Sequence, residues 1–235
     1  MNDLIVVDLG RTKYADAWAL QQRVFDARLV RAVPDVLLLT EHDHVYTVGK
    51  GGDANHILAN DAELLEKNID VFAIDRGGDV TYHGPGQLVG YPILDLNNYY
   101  LDIHRYLRDI EEALIATLAS LGVESGRSEG YTGVWVKNEK IAAIGVKVSR
   151  WITMHGFALN VSTDLSFFDR IIPCGIFHKG VTTLDHLIPS GVGMDEVKSV
   201  FIHHFAELFK VNAAQWSRME LESQLSLTVA AGNEA

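Results

Sequence analysis

Gly133-Val134-Trp135-Val136-Lys137-Asn138-Glu139-Lys140-Ile141-Ala142-Ala143-Ile144-Gly145-Val146-Lys147-Val148-Ser149-Arg150-Trp151-Ile152-Thr153-Met154-His155-Gly156-Phe157-Ala158-Leu159-Asn160-Val161 reads as a succession of β-rich segments. Gly133 to Val136, Ile141 to Val148 and Ile152 to Val161 are dense in β-branched and aromatic residues, and no helical period separates them. Upstream, Ile103 to about Leu121 sets Leu107, Ile110, Leu114, Leu118 and Leu121 on one helical face, with Arg108, Glu111 and Glu112 on others. Gly122 supplies a stop. Downstream, Met194 to Phe209 repeats the helical pattern and is expected to bury Met194, Val197, Phe201, Phe205 and Leu208. Strands and helices are mixed but do not alternate strictly, which argues against a doubly wound dinucleotide-binding sheet. The expected fold is α/β: a single domain with a mixed β-sheet flanked by helices.

Working toward the N-terminus, Leu4 to Val7, Asp35 to Thr40, Val45 to Val48, Val71 to Ile74 and Gln87 to Leu96 read as strands. Tyr14 to Val30 carries Tyr14, Trp18, Phe25 and Leu29 at helical spacing, and Pro34 closes it. No internal repeat, low-complexity run or linker-like change of composition interrupts the chain. The catalytic domain is expected over residues 1–210, and the polar stretch 211–235 reads as a C-terminal tail.

Composition narrows the function classes. The chain has 235 residues and a formal charge of −11, so as a whole it repels polyanions, and general nucleic-acid binding is not expected. No apolar run approaches the ~20 residues of a membrane span, and the first residues lack the basic flank of a signal peptide. The expectation is a cytoplasmic protein without a membrane partner. A single cysteine excludes an intramolecular disulfide and any Cys-x-x-Cys zinc pattern.

That cysteine, Cys174, lies between Pro173 and Gly175, a constrained turn suited to projecting a nucleophilic sulfur. A thiolate needs a positive neighbour or a helix N-terminus, and His83, His155, Lys140 and Lys147 are the candidates. The densest anomaly is Arg76-Gly77-Gly78-Asp79-Val80-Thr81-Tyr82-His83-Gly84-Pro85-Gly86-Gln87. Its glycines suit a hairpin, but its polar side chains exceed what a hairpin requires; read functionally, it is a substrate wall. A Walker phosphate loop fails on spelling at Gly49-Lys50-Gly51. Lys140 precedes the small residues of Ala142 to Gly145, and Gly156-Phe157-Ala158 has the same character; together they suit the walls of a narrow apolar slot. His42 and His44 invite a metal reading, but two ligands do not make a site and no metal is expected. His203-His204 reads as a surface pair.

Four motifs in this order, Arg76 to Leu88, Lys140-Ile141-Ala142-Ala143-Ile144-Gly145, His155-Gly156-Phe157-Ala158-Leu159-Asn160 and Pro173-Cys174-Gly175-Ile176, resemble the octanoyltransferases of lipoate biosynthesis, the lipoate-protein ligase B family. The resemblance runs from about Val36 to Phe209. One departure is the absence, in Glu41-His42-Asp43-His44-Val45, of the proline that commonly precedes the valine.

The resemblance implies a fold shared with biotin and lipoate protein ligases. It also implies transfer of octanoyl from acyl carrier protein to a lipoyl-domain lysine through a Cys-bound thioester. It assigns the nucleophile to Cys174 and its activating partner to Lys140. Substrate contacts fall at Arg76, Gly77, Gly78, Asp79, Val80, Thr81, Tyr82 and His83, at Ala143, Ile144 and Gly145, and at Gly156, Phe157 and Ala158. The implied partners are acyl carrier protein, the lipoyl domains of 2-oxoacid dehydrogenase complexes and the glycine cleavage H protein. No cofactor is implied beyond the donor's phosphopantetheine. Oxyanion donors are expected near Gly84 or Gly175, and Lys137, Lys140, Lys147 and Arg150, in a segment whose only acid is Glu139, are expected to form a local basic surface where Lys147 or Arg150 meets the acidic carrier. An ATP-dependent lipoate or biotin ligase on the same fold, using Lys140 without Cys174, is the alternative. A Cys-His hydrolase and a non-catalytic acyl-binding module are further readings.

Overall fold

A computed structural model describes residues 2–172 and 180–232. In chain order they form β1 (Asn2–Thr12), α1 (Tyr14–Leu29), β2 (Asp35–His42), β3 (Val45–Val48), α2 (Asp61–Glu66), β4 (Asp70–Ala73), β5 (Val80–His83) and β6 (Gln87–Ile93). There follow α3 (Ile103–Ser120), β7 (Gly126–Ser128), β8 (Tyr131–Val136), β9 (Glu139–Ser149), β10 (Ile152–Asn160) and β11 (Gly180–Val181). The chain continues through α4 (Leu184–Leu187), α5 (Met194–Phe209), β12 (Val211–Gln215) and α6 (Arg218–Gly232).

The main sheet runs β12-β1-β2-β6-β10-β9-β8-β7, with β11 paired to β9. Its β12/β1, β1/β2 and β11/β9 pairs are parallel, and its other pairs antiparallel, so the sheet is mixed as the uninterrupted β segments imply. Both faces are covered. Alternate residues of β2 therefore point into different cores: Leu37 and Leu39 join the layer of α3 and α5, whereas Val36 and Leu38 join that of α1 and α6. The Asp102 side chain caps α3 by accepting from Arg105 N at 3.0 Å.

Two features differ from the sequence reading. In α5, Leu208 is exposed and Phe209 is buried in its place, because Phe209 continues the row of Val197, Phe201 and Phe205 at four-residue spacing and meets the Tyr99 and Tyr106 rings edge-on, before the helix ends at Lys210 in the left-handed conformation (φ 53°). The stretch after Lys210, read as a tail, supplies β12 in register with β1 and the helix α6, whose Leu221 and Leu225 are buried against the α1 layer. Four of the five β12 residues are exposed, which is why no hydrophobic period marks it.

A second, smaller sheet, β4-β3-β5, packs on Tyr46, Val48, Tyr82, Phe167 and Ile171. The loop between β4 and β5 carries Arg76 to Asp79 back over the main sheet.

Candidate active site

That loop docks twice. Gly49 N, Lys50 N and Gly51 N donate to the carbonyls of Asp79, Arg76 and Gly78 at 3.2, 3.0 and 3.1 Å, and Gly77 N donates to Val146 O on β9 at 2.9 Å. The close approach needs glycine on both sides: Gly78 has φ +91°, and a Cβ on Gly145 would lie 2.8 Å from Gly77 O. Arg76 is buried, and its guanidinium donates to Thr47 O and Oγ1 at 2.8 and 2.9 Å, tying the loop to β3. Asp79 accepts from Val80 N at 2.7 Å and meets His56 Nδ1 at 2.7 Å. These polar side chains therefore set the loop's shape.

Under the loop lies a mainly apolar cleft of about 580 Å³. Arg76, Gly77, Gly78, Asp79, Val80, Thr81 and His83 line one side; Lys140, Ala143, Ile144 and Gly145 of β9 and Gly156, Phe157 and Ala158 of β10 line the other. Tyr82 stands apart from its neighbours in the motif. On β5 it faces away from the cleft, stacks on Phe167 with centroids 4.8 Å apart, and shares a 2.7 Å hydrogen bond between its hydroxyl and His44 Nδ1. Gly84 packs against the Tyr82 ring and does not line the cleft. Cys174 and Gly175 lie outside the described residues. On either side of them, Ile172 N donates to His56 O at 2.8 Å, and Gly180 and Val181 pair with Glu139 and Lys140.

The cleft also recruits residues without a motif: Tyr14 at the start of α1, Tyr91 of β6, Ile103 and Leu107 of α3, Tyr131 and Trp135 of β8, and Phe168. Lys140 Nζ stands 4.9 Å above the centroid of the Trp135 ring. Cross-strand pairing is the signal for that contact, since Trp135 and Lys140 flank the short Lys137-Asn138 turn.

At the inner end the charges are held down. His83 Nδ1 donates to Gln87 Oε1 at 2.8 Å, which leaves Nε2 as the acceptor; Gln87 Nε2 in turn donates to Asn160 Oδ1 at 2.9 Å. Burial, helped by neighbouring His42, pushes His83 down to about 3, so the ring is neutral. Burial likewise lowers His42 to about 4, and its Nε2 sits 2.6 Å from the Tyr91 hydroxyl. His42 and His44 are thus engaged with different tyrosines. His155 has φ +59° within β10; its Nε2 is 2.8 Å from Asp75 Oδ1, and burial lowers its pKa.

A sheet roofed by a glycine loop, over an apolar slot with a lysine at one wall, defines an enzyme of the biotin and lipoate protein ligase fold. The profile of the lipoyl protein ligase A/B catalytic domain matches residues 13–206. An octanoyltransferase of Flavobacterium johnsoniae is 51% identical over 220 residues, 86% of this chain and 95% of that protein. The chain belongs to the octanoyltransferase family. A bipartite lipoate protein ligase from Thermoplasma acidophilum superposes with a TM-score of 0.77 at 20% identity, covering 96% of this chain and 91% of the other. Biotin protein ligase from Aquifex aeolicus, in complex with biotin and ATP, superposes at 0.54 and 13% identity over 89% and 71%. No described helix is long and apolar enough to cross a membrane.

Proposed function

We propose that this protein transfers an octanoyl group from octanoyl-acyl carrier protein to a lysine of lipoyl domains, through a thioester on Cys174, with Lys140 as its proton partner and no need of ATP. One observation carries this reading: motif segments far apart in sequence, Arg76 to Thr81, Lys140, Ala143 to Gly145 and Gly156 to Ala158, meet on a single apolar cleft. An alkyl chain gains about 0.8 kcal/mol per methylene on leaving water, so such a slot holds an acyl chain by burial alone.

In the first half-reaction the Cys174 thiolate attacks the carbonyl carbon of the donor thioester. A carbon–sulfur bond forms to Sγ, the bond to the pantetheine sulfur breaks, and the departing thiolate takes a proton from the Lys140 ammonium. This exchange of thioesters is nearly isoenergetic. In the second half, the acceptor amine attacks the same carbonyl and gives a proton to the now neutral Lys140. The carbon–nitrogen bond forms, Cys174 leaves as thiolate, and Lys140 is again an ammonium that favours that thiolate. Amide formation from a thioester is downhill, so no nucleotide is consumed. The acceptors are lipoyl domains of 2-oxoacid dehydrogenase complexes and the glycine cleavage H protein.

The test is to mix the protein with octanoyl-carrier protein and an apo-lipoyl domain in the absence of ATP. An octanoylated lysine is expected. Donor alone leaves an acylated enzyme that hydroxylamine releases, and Cys174→Ala gives neither adduct nor product. Product formed only with ATP, or full activity in Cys174→Ala or Lys140→Ala, overturns the reading; a hydrolase instead releases free octanoate.

A further inference from the structure

Lys140 is held by more than its own strand. Its neighbour across the β8/β9 hairpin is Trp135, and the register there slips: Val134 opposes Ala142 and Trp135 opposes Lys140, so β9 carries the extra residue Ile141. Such a bulge re-aims the side chains on either side of it. Here Ile141 and Ala142 both enter the core, while the Lys140 ammonium comes to lie over the Trp135 indole, 4.9 Å from its centroid.

The bulge is anchored from behind. Glu111 of α3 is fully buried, and its Oε1 accepts from Gly133 N at 2.9 Å. Its Oε2 accepts from Arg108 and Arg127 at 2.6 and 2.9 Å, so the carboxylate is compensated and fixed. Gly133 has φ +129°, and a Cβ there would lie 2.6 Å from Ala142 O and 3.5 Å from Lys140 Cε. Glycine is required here by the positive φ and by the close Ala142 carbonyl, so the β8 and β9 backbones approach at the bulge with the Lys140 stem packed alongside.

From this we infer that Trp135 and Glu111 are positioning residues for Lys140: the indole face favours the ammonium form and fixes its location, and Glu111 locks the bulge that brings the two together. The inference rests on the role proposed above for Lys140. A cation over an aromatic face is stabilised relative to the neutral amine. The ring therefore widens the pH range over which Lys140 is charged and Cys174 is thiolate.

The experiment measures the rate of Cys174 alkylation, and kcat/KM for transfer, against pH in Trp135→Phe, Trp135→Leu, Glu111→Gln and Glu111→Ala. In Trp135→Leu the acid limb of both profiles is expected to move up by about 0.4 to 1.5 pH units, the size of a cation–π contact, and the alkaline limb of transfer to move down. Trp135→Phe falls between this variant and the parent. Glu111→Ala reproduces the narrowed profile, whereas Glu111→Gln, whose amide oxygen still accepts from Gly133 but whose NH2 cannot accept from Arg108 and Arg127, falls between Glu111→Ala and the parent. Profiles lowered in height but unmoved along the pH axis overturn the inference; if Trp135→Leu does not fold, Trp135→Phe decides. Full activity in Lys140→Ala would remove the proposed function itself, whereas an inactive Lys140→Ala with an unmoved Trp135 profile removes only this inference.

Discussion

Lys147 Nζ lies 2.6 Å from Asp75 Oδ2, and the other oxygen of that carboxylate is 2.8 Å from His155 Nε2. Burial alone would raise the Asp75 pKa, but hydrogen bonds from Lys147 and His155 outweigh it and hold the carboxyl below its ordinary range. The lysine that the sequence offers as a docking cation is therefore engaged beside the loop, with its ammonium also 5.4 Å from the centroid of the Phe25 ring. Arg150, at the exposed β9/β10 turn, is with the exposed Lys137 a cation that the proposed function leaves open to an acidic carrier. Arg150→Glu should raise the apparent KM for octanoyl-carrier protein, most strongly at low salt, by about three- to tenfold. Lys147→Met should instead lower kcat with little dependence on salt; steady-state kinetics at two ionic strengths separates the two.

The neutral imidazoles make stability fall on the acid side. His42 and His83 are lowered to about 4 and about 3 in the folded protein. In the unfolded chain they titrate near 6.5, so between pH 5 and 6 the unfolded state binds more protons and stability rises with pH. Their contribution is complete above about 6.5 and is lost as pH falls toward the folded values. Each contributes a slope of about 1.4 kcal/mol per pH unit at most. His42→Gln should reduce the slope of unfolding free energy against pH in urea titrations over this window by about one proton. An unchanged slope would contradict the burial-driven shift.

Arg28 should be among the costliest side chains to truncate. Its guanidinium pairs with Asp35 at 2.8 Å and Asp95 at 3.4 Å, with all three side chains at most 7% exposed. Asp35 also accepts from Tyr99 Oη at 2.6 Å. Arg28→Ala leaves two buried carboxylates uncompensated and should cost about 3–5 kcal/mol in denaturant unfolding. The cleft lies away from this network, so transfer at low temperature should be far less affected than stability.

Gly145→Ala tests the roof of the cleft. The added methyl would lie 2.8 Å from Gly77 O and 3.0 Å from Arg76 Cδ, and the first of these is backbone. The Gly77–Val146 hydrogen bond should stretch and the loop lift. A displacement approaching 1 Å at a reacting group costs on the order of 100-fold. A drop of about 10- to 100-fold in kcat/KM is therefore expected, with far-ultraviolet circular dichroism unchanged; a drop under twofold would mean that the loop does not shape the site.

The sequence shows most of this architecture because both sheet faces and two helix faces are buried, which forces period-2 and period-3.6 patterns into the chain. Val45 to Val48 and Met194 to Phe209 emerge with the ends expected. The site was legible as motifs but not as geometry. Tyr82 belongs with its neighbours in the Arg76–Gln87 segment only while that segment is read as a loop; once Val80–His83 is a strand, alternation turns Tyr82 away from Thr81 and His83. Tyr14 and Trp135 carried no signal of their own, since an aromatic at a helix start or in a strand is ordinarily core. β12 was invisible because an exposed strand at the rim of a sheet needs no apolar alternation, only backbone hydrogen bonds.

The pairing of β12 with β1 also sets an order in time. On a ribosome, β1 is made first, but the strand that covers its outer rim follows some two hundred residues later. At about 5–20 residues per second, that rim of unpaired amides waits on the order of ten to forty seconds. During synthesis it is an open template for any extended chain nearby, so the nascent protein is expected to depend on early shielding by chaperones more than its finished fold would suggest.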